Sequence, residues 1–183
     1  MEIPYLRKLN VHVDERGESV RLFEDKDLKG MNSDLFYCLS VLNNHPGTIR
    51  GMHISPDPFS GGKVLTVTSG AIFDISIDLR PESPFFRQGF KCTLKEDDRA
   101  VLKIPPGFMH GYQTLVEKSS LLYGLDEQFL MERETGYSPL SNCLRGSWPL
   151  DYDTRLSKKD SAWPNMPQET LILHEVSFRE SSS

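Results

Sequence analysis

From Lys63 to Leu79 the sequence reads KVLTVTSGAIFDISIDL, two period-two runs joined at Ser69-Gly70. In the first run Leu65 and Val67 alternate with Val64, Thr66 and Thr68. In the second, Ala71, Phe73, Ile75, Ile77 and Leu79 alternate with Asp74, Ser76 and Asp78. Successive side chains of a strand point to opposite faces, so this stretch reads as two strands, each with one apolar face toward a core. Leu35 to Leu42, Thr48 to Ile54, Gly89 to Leu94, Ala100 to Ile104 and Ser119 to Leu125 read as further short strands. Turn signals separate them: Asn43 to Gly47, Ser60-Gly61-Gly62, Pro81 to Pro84 and Pro105-Pro106-Gly107. Closely spaced strands without a long amphipathic helix predict an all-β sandwich or barrel. Short peripheral helices are expected at Glu24 to Leu28 and from Ser157 to Asp160.

With 183 residues and no repeat, low-complexity tract or linker, the chain is expected to form one domain, 1–183. Arg179 to Ser183 is expected to fray. Hydrophobic content of 38% and charged content of 26% are ordinary for a soluble protein. A formal charge of −5 argues against a nucleic-acid partner, because there is no basic surplus to offset phosphates. The N-terminal segment lacks an apolar signal core, and no segment approaches the roughly 20 apolar residues of a membrane span. Cys38, Cys92 and Cys143 are odd in number and contain no CxxC pair, which reads as reduced thiols. The expected location is cytoplasmic, away from membranes.

Lys63 shares the inward parity of Leu65 and Val67. An ammonium group on such a face is costly unless it is paired, solvated in a cavity or used. Two histidines lie nearby in pattern: His53, after Arg50-Gly51-Met52, and His110, in Pro105-Pro106-Gly107-Phe108-Met109-His110, just after another strand. In a small antiparallel barrel, distant strand ends converge at one mouth. A zinc or iron site would need three or four His, Cys or carboxylate ligands. Residue 55 is serine and no glutamate follows His53 in its loop, so neither a metal nor another cofactor is expected. Metal-free proton chemistry fits better: a neutral histidine removes a proton beside a carbonyl and a cation stabilises the enolate. Lys63 suits the cation and Arg50 suits a phosphate oxygen. The bland alternatives are a surface lysine and a surface ion pair. Arg50 and His53 have opposite parity on an ideal strand, so a bulge or strand end must intervene if both face one site. For Asp160 the residues favour a helix cap with Ser157 over a partnership with a histidine.

IRGMH, GGKVLTVTSGAIFDISIDLR, SPFF, IPPGFMHGY, SWP and LSKKD occur in an order that resembles the nucleotide-sugar 3,5-epimerases. The resemblance covers residues 14 to 164, leaving 165–183 as a C-terminal extension. It implies a cupin-type double-stranded β-helix barrel (a jelly roll), a homodimer with exchanged edge strands, a nucleotide-linked sugar substrate and no metal. It further implies His53 as base, Asp160 as its orienting carboxylate, Lys63 as the cation near the sugar carbonyl, and Arg50 as a diphosphate contact. His110 falls at a second active-site histidine. Three positions depart from the family. Phe129 stands where the family usually has a tyrosine taken as the acid for the opposite face. Asp14-Glu15-Arg16-Gly17 keeps the arginine expected to line the nucleotide pocket but continues differently. Ser55 replaces a usual glutamine, before an atypical loop from Pro56 to Gly62. The expected function is epimerisation at C3, C5 or both of a nucleotide-linked 4-keto sugar. The alternatives are a binding protein that has lost turnover and a related ketoisomerase, which would need a histidine pair absent here.

Overall fold

A computed structural model describes residues 1–31, 37–56, 61–126, 135–151, 153–168 and 170–179. Thirteen strands appear among them: β1 (Tyr5–Lys8), β2 (Val11–Asp14), β3 (Gly17–Val20), β4 (Tyr37–Asn43), β5 (Ile49–Ile54), β6 (Lys63–Ser69) and β7 (Ala71–Asp78). They continue as β8 (Gly89–Lys95), β9 (Ala100–Ile104), β10 (Phe108–Thr114), β11 (Ser119–Leu125), β12 (Thr135–Gly136) and β13 (Leu173–Glu175). The α-helices are single turns, α1 (Asp25–Leu28) and α2 (Lys158–Ser161). The fold is therefore nearly all β, as the turn spacing predicts.

Two sheets face one another. One runs β1-β9-β6-β11-β4 and the other β12-β5-β10-β7-β8-β13, while β2 and β3 form a separate hairpin. Every pairing is antiparallel except β13 with β8. Leu65, Val67, Leu102, Leu121 and Tyr123 from the first sheet meet Ile72, Phe90, Leu94, Phe108 and Tyr112 from the second. Both sheets also have covered outer faces. Val64 and Val101 lie under Leu9, Leu22, Phe23 and Leu28, whereas Ile75, Ile77 and Met109 lie under Leu144, Trp148 and Met166.

This second layer corrects the inward direction expected for β7. Its clean apolar face, Phe73 to Leu79, packs outward beneath Trp148, with the Phe73 and Trp148 rings edge to face at 6.3 Å. Asp74, Ser76 and Asp78 share the inner face with Ile72, and all three are buried. A strand covered on both sides can carry its polar residues inward, so alternation does not tell which face is solvent. For β6 the expected parity holds, since Leu65 and Val67 belong to the inter-sheet core.

Two other expectations change. PPGFMHGY reads as a turn followed by a histidine, but β10 begins at Phe108 and holds His110 within it. Arg179 is tied down, not frayed: its N–H donates to the Leu6 carbonyl at 2.9 Å and its guanidinium lies 3.9 Å from the Tyr5 ring centroid. The extension from residue 165 thus buries Met166, adds β13 to β8 and reaches β1.

Candidate active site

The site is assembled around one irregularity in β5. His110 pairs with His53, and Tyr112, two residues on, pairs with Arg50, three residues back. The extra residue in β5 is a bulge, and it gives Arg50 and His53 the same facing despite their odd spacing. Gly51 occupies it at φ +133°, and a Cβ there would stand 2.5 Å from the Gly111 Cα. Only glycine allows both that backbone geometry and that approach.

Directly opposed residues share a face, so His53, His110, Tyr112 and Arg50 all belong to the inner side of this sheet. Across the core, Tyr123 of β11 stands opposite Leu65 of β6, and Lys63 continues that row toward the strand start. His53 and His110 are thus direct cross-strand partners, Arg50 shares their face beside Tyr112, and Lys63 begins the inner row of the facing sheet.

Asp160 arrives from far along the chain. Thr48 bridges to Arg155, and the Ile49 N–H donates to the Arg155 carbonyl at 2.9 Å, so the segment entering α2 runs beside the start of β5. Ser157 caps α2 by accepting from the Asp160 N–H at 2.9 Å. The Asp160 carboxylate does not complete the box; it meets His53 Nε2 at 2.7 Å. The Asp160 side chain is buried and His53 remains 23% exposed, so the dyad is open to solvent on the histidine side. Lys63 Nζ donates to the Gly61 carbonyl at 3.2 Å.

A second dyad lies deeper. His110 Nε2 meets Asp74 Oδ2 at 2.6 Å, with both side chains buried. The His110 ring lies 6.3 Å from that of Tyr123 and 6.5 Å from that of Tyr112. Burial pushes the Tyr123 phenol well above the usual tyrosine value, with Tyr112 and the charge of Asp74 acting in the same direction. Tyr123 is therefore a phenol that keeps its proton inside the barrel. Sequence reasoning missed Asp74, Tyr112, Tyr123 and Asn43. Asp74 and Tyr123 were legible in principle as polar or phenolic groups in otherwise apolar strands.

Two expected residues are not joined to this cluster. Arg16 lies in the β2–β3 turn, with its side chain 83% exposed and its Nη2 2.5 Å from Asp14. Phe129 lies outside the described residues. Among the described residues, no group of three or more His, Cys, Asp or Glu side chains could hold a metal ion. No helix among them is long and apolar enough to cross a membrane.

Comparison with known proteins gives a consistent picture. The family described as dTDP-4-dehydrorhamnose 3,5-epimerase matches the chain over residues 3–168. The protein of that name from Sinorhizobium fredii is 32% identical over 120 residues, 66% of this chain and 62% of its own length. Its namesake from Neisseria gonorrhoeae is 31% identical over 97% of this chain and 55% of its own length. The chain thus spans less than two thirds of both relatives. A Bacillus anthracis dTDP-4-dehydrorhamnose 3,5-epimerase, crystallised with TDP and PPi, superposes with a TM-score of 0.80 at 30% identity, covering 89% of this chain and 94% of that one. A Legionella pneumophila 3,5-epimerase in complex with dTDP-4-keto-L-rhamnose gives 0.77 at 27% identity, covering 86% and 85%.

Proposed function

Because the chain belongs to the dTDP-4-dehydrorhamnose 3,5-epimerase family, we propose that it inverts C3, C5 or both of a nucleotide-linked 4-keto sugar, with His53 as the base. The observation that carries this reading is the His53–Asp160 pair at 2.7 Å, facing an interior that also holds a lysine and a protonated phenol. Nε2–H donates to the carboxylate, which leaves the lone pair on Nδ1. Nδ1 takes the proton from the carbon beside the C4 ketone, and Asp160 stabilises the imidazolium that results. Negative charge moves to the ketone oxygen, where the Lys63 ammonium stabilises the enolate.

Inversion needs a proton from the opposite face, and Tyr123 is the donor we assign to it. Its buried phenol holds its proton at neutral pH and gives it up only to a base as strong as the enolate carbon. In this reading Tyr123 supplies the proton that Phe129 cannot. The proton on His53 returns through solvent to the Tyr123 oxygen, so the enzyme ends each turnover unchanged. Arg50 has Nε bound to Asn43 Oδ1 at 2.8 Å and directs the rest of its fork to the diphosphate. His110, held by Asp74, lies on the wall that receives the sugar.

The active unit in this reading is a homodimer. The β2–β3 hairpin exposes Val13, and β4, an edge strand among the described residues, exposes Tyr37 and Leu42. An exchanged hairpin covers such an edge and carries Arg16 to a neighbouring nucleotide pocket. Free Cys38, Cys92 and Cys143 support a reducing, cytoplasmic setting.

The test is incubation in D₂O with dTDP-4-keto-6-deoxyglucose and related sugars, following deuterium at C3 and C5 by NMR. Entry at one carbon identifies a mono-epimerase and entry at both the double reaction. Binding without exchange favours a protein that kept the pocket and lost turnover. His53→Asn is expected to slow exchange by about 10²–10⁴-fold, and exchange at the wild-type rate would overturn the assignment of the base.

A further inference from the structure

On β4 the buried side chain is the polar one. Tyr37 to Ser40 and Leu42 are exposed and Val41 is half-buried, whereas Asn43, the last residue of the strand, is 3% exposed. Burying an amide while apolar neighbours stay in water is costly unless its polar groups are used. Both ends of the Asn43 amide are used. Nδ2 donates to the Ser119 carbonyl at 3.3 Å and to the Tyr112 hydroxyl at 3.2 Å. A carbonyl only accepts, so the bond to Ser119 fixes which end of the amide is nitrogen. Oδ1 is left for Arg50, whose Nε donates to it at 2.8 Å. Arg50 itself is exposed, and among the described residues it makes no other hydrogen bond and no ion pair.

We propose that Asn43 is a positioning residue for anion binding: it holds Arg50 by Nε, leaves its charge uncompensated, and so presents both terminal nitrogens to the diphosphate. The inference rests on the reading of Arg50 as the diphosphate contact. Two properties of the bond matter. The first is order. An exposed arginine samples many rotamers, and fixing it on a ligand costs affinity. An amide that is itself buried and bonded to Ser119 and Tyr112 fixes the arginine beforehand. The second is neutrality. A carboxylate in place of this amide would draw the guanidinium into an ion pair and compete with the phosphate for its charge. An amide oxygen accepts the Nε–H and leaves the full positive charge for the ligand. With Nε occupied, the edge of the fork formed by Nε and one terminal nitrogen is closed. The end formed by Nη1 and Nη2 remains, and it matches two phosphate oxygens with two parallel hydrogen bonds. Asn43 belongs to one sheet and Arg50 to the other, so the clamp acts across the space between them.

The experiment measures dTDP binding by titration calorimetry, and kinetics with dTDP-4-keto-6-deoxyglucose, for wild type, Asn43→Ala, Asn43→Asp, Arg50→Ala and the double variant Asn43→Ala with Arg50→Ala. Asn43→Ala is expected to weaken dTDP binding and raise KM by about 10-fold, with kcat lowered much less. Asn43→Asp keeps the size and the acceptor but adds a charge, and it should bind dTDP more weakly than Asn43→Ala. The double variant should bind no more weakly than Arg50→Ala, because Asn43 acts only through Arg50. A merely structural role would lower the melting temperature and the fraction of protein that binds, with wild-type affinity in the folded fraction. Calorimetry reads that fraction and the affinity separately. Wild-type affinity in the folded fraction of Asn43→Ala, binding by Asn43→Asp no weaker than by Asn43→Ala, or losses that multiply in the double variant would each overturn the proposal. Wild-type binding by Arg50→Ala would remove the diphosphate contact and the proposal with it. Failure of the epimerase reading is seen separately, as wild-type exchange in His53→Asn.

Discussion

Asp160 does two jobs with two different atoms: its N–H completes the cap of a one-turn helix and its carboxylate holds a histidine. The first job was readable from Ser157-x-x-Asp160; the second depends on residues more than a hundred positions apart. The two are separable by mutation. Asp160→Asn keeps the N–H and the cap, so the melting temperature should stay within a few degrees. The amide disfavours the tautomer that leaves Nδ1 basic, and kcat should fall on the order of 10²–10⁴-fold. Steady-state kinetics and calorimetry on the same sample check both halves. The inward parity of Lys63 was legible from the alternation it shares with Leu65 and Val67. Tyr123 was not singled out, because a tyrosine among leucines reads equally well as core until its hydroxyl is located.

At the scale of the strand, β5 shows why parity arguments need the partner strand. Arg50 and His53 cannot face together on a regular strand, and the sequence announces the exception only as a glycine. Gly51 supplies the bulge, and Gly111 across from it supplies the room. Gly51→Ala should cost at least about 2–3 kcal/mol, from a backbone region closed to L-residues and a contact of 2.5 Å. Activity should be lost together with stability, because any relief of the clash moves β5 relative to β10 and separates the two histidines. Chemical denaturation and kinetics should therefore report the same variant as defective in both. The apolar face of β7 carries the complementary lesson. Its pattern correctly fixed the strand but not its direction, because Trp148 and its neighbours cover the side that solvent would otherwise occupy. Local alternation is encoded in a few residues, whereas the identity of the cover is encoded about seventy residues later.

For the whole molecule, the all-β class followed from strand and turn spacing, and the two-sheet arrangement followed from it. The hairpin of β2 and β3 did not, since its strands are short, polar and exposed, and carry no core signal. In the proposed homodimer the exposed Val13 of this hairpin lies against the partner. Val13→Asp should shift the protein from dimer to monomer in light scattering. Activity should fall with it, because Arg16 then no longer reaches a neighbouring pocket. If Val13→Asp remains dimeric and fully active, the exchanged-hairpin arrangement is wrong.

The segment that follows Met166 gives the molecule a dynamic property. It bonds first to β8, where the Gly89 N–H meets the Ile172 carbonyl and the Val176 N–H meets the Lys91 carbonyl. It then crosses to β1, where the Leu6 N–H meets the Ser177 carbonyl. One segment therefore bonds the border strands of both sheets, so opening at either border loosens a strap that the other shares. In native-state hydrogen exchange the amides of Leu6, Gly89 and Val176 should share a single opening free energy, below that of central strands such as β6 and β10. Fraying at this end of the barrel then becomes a two-state event, as cooperative on a small scale as unfolding is for the whole.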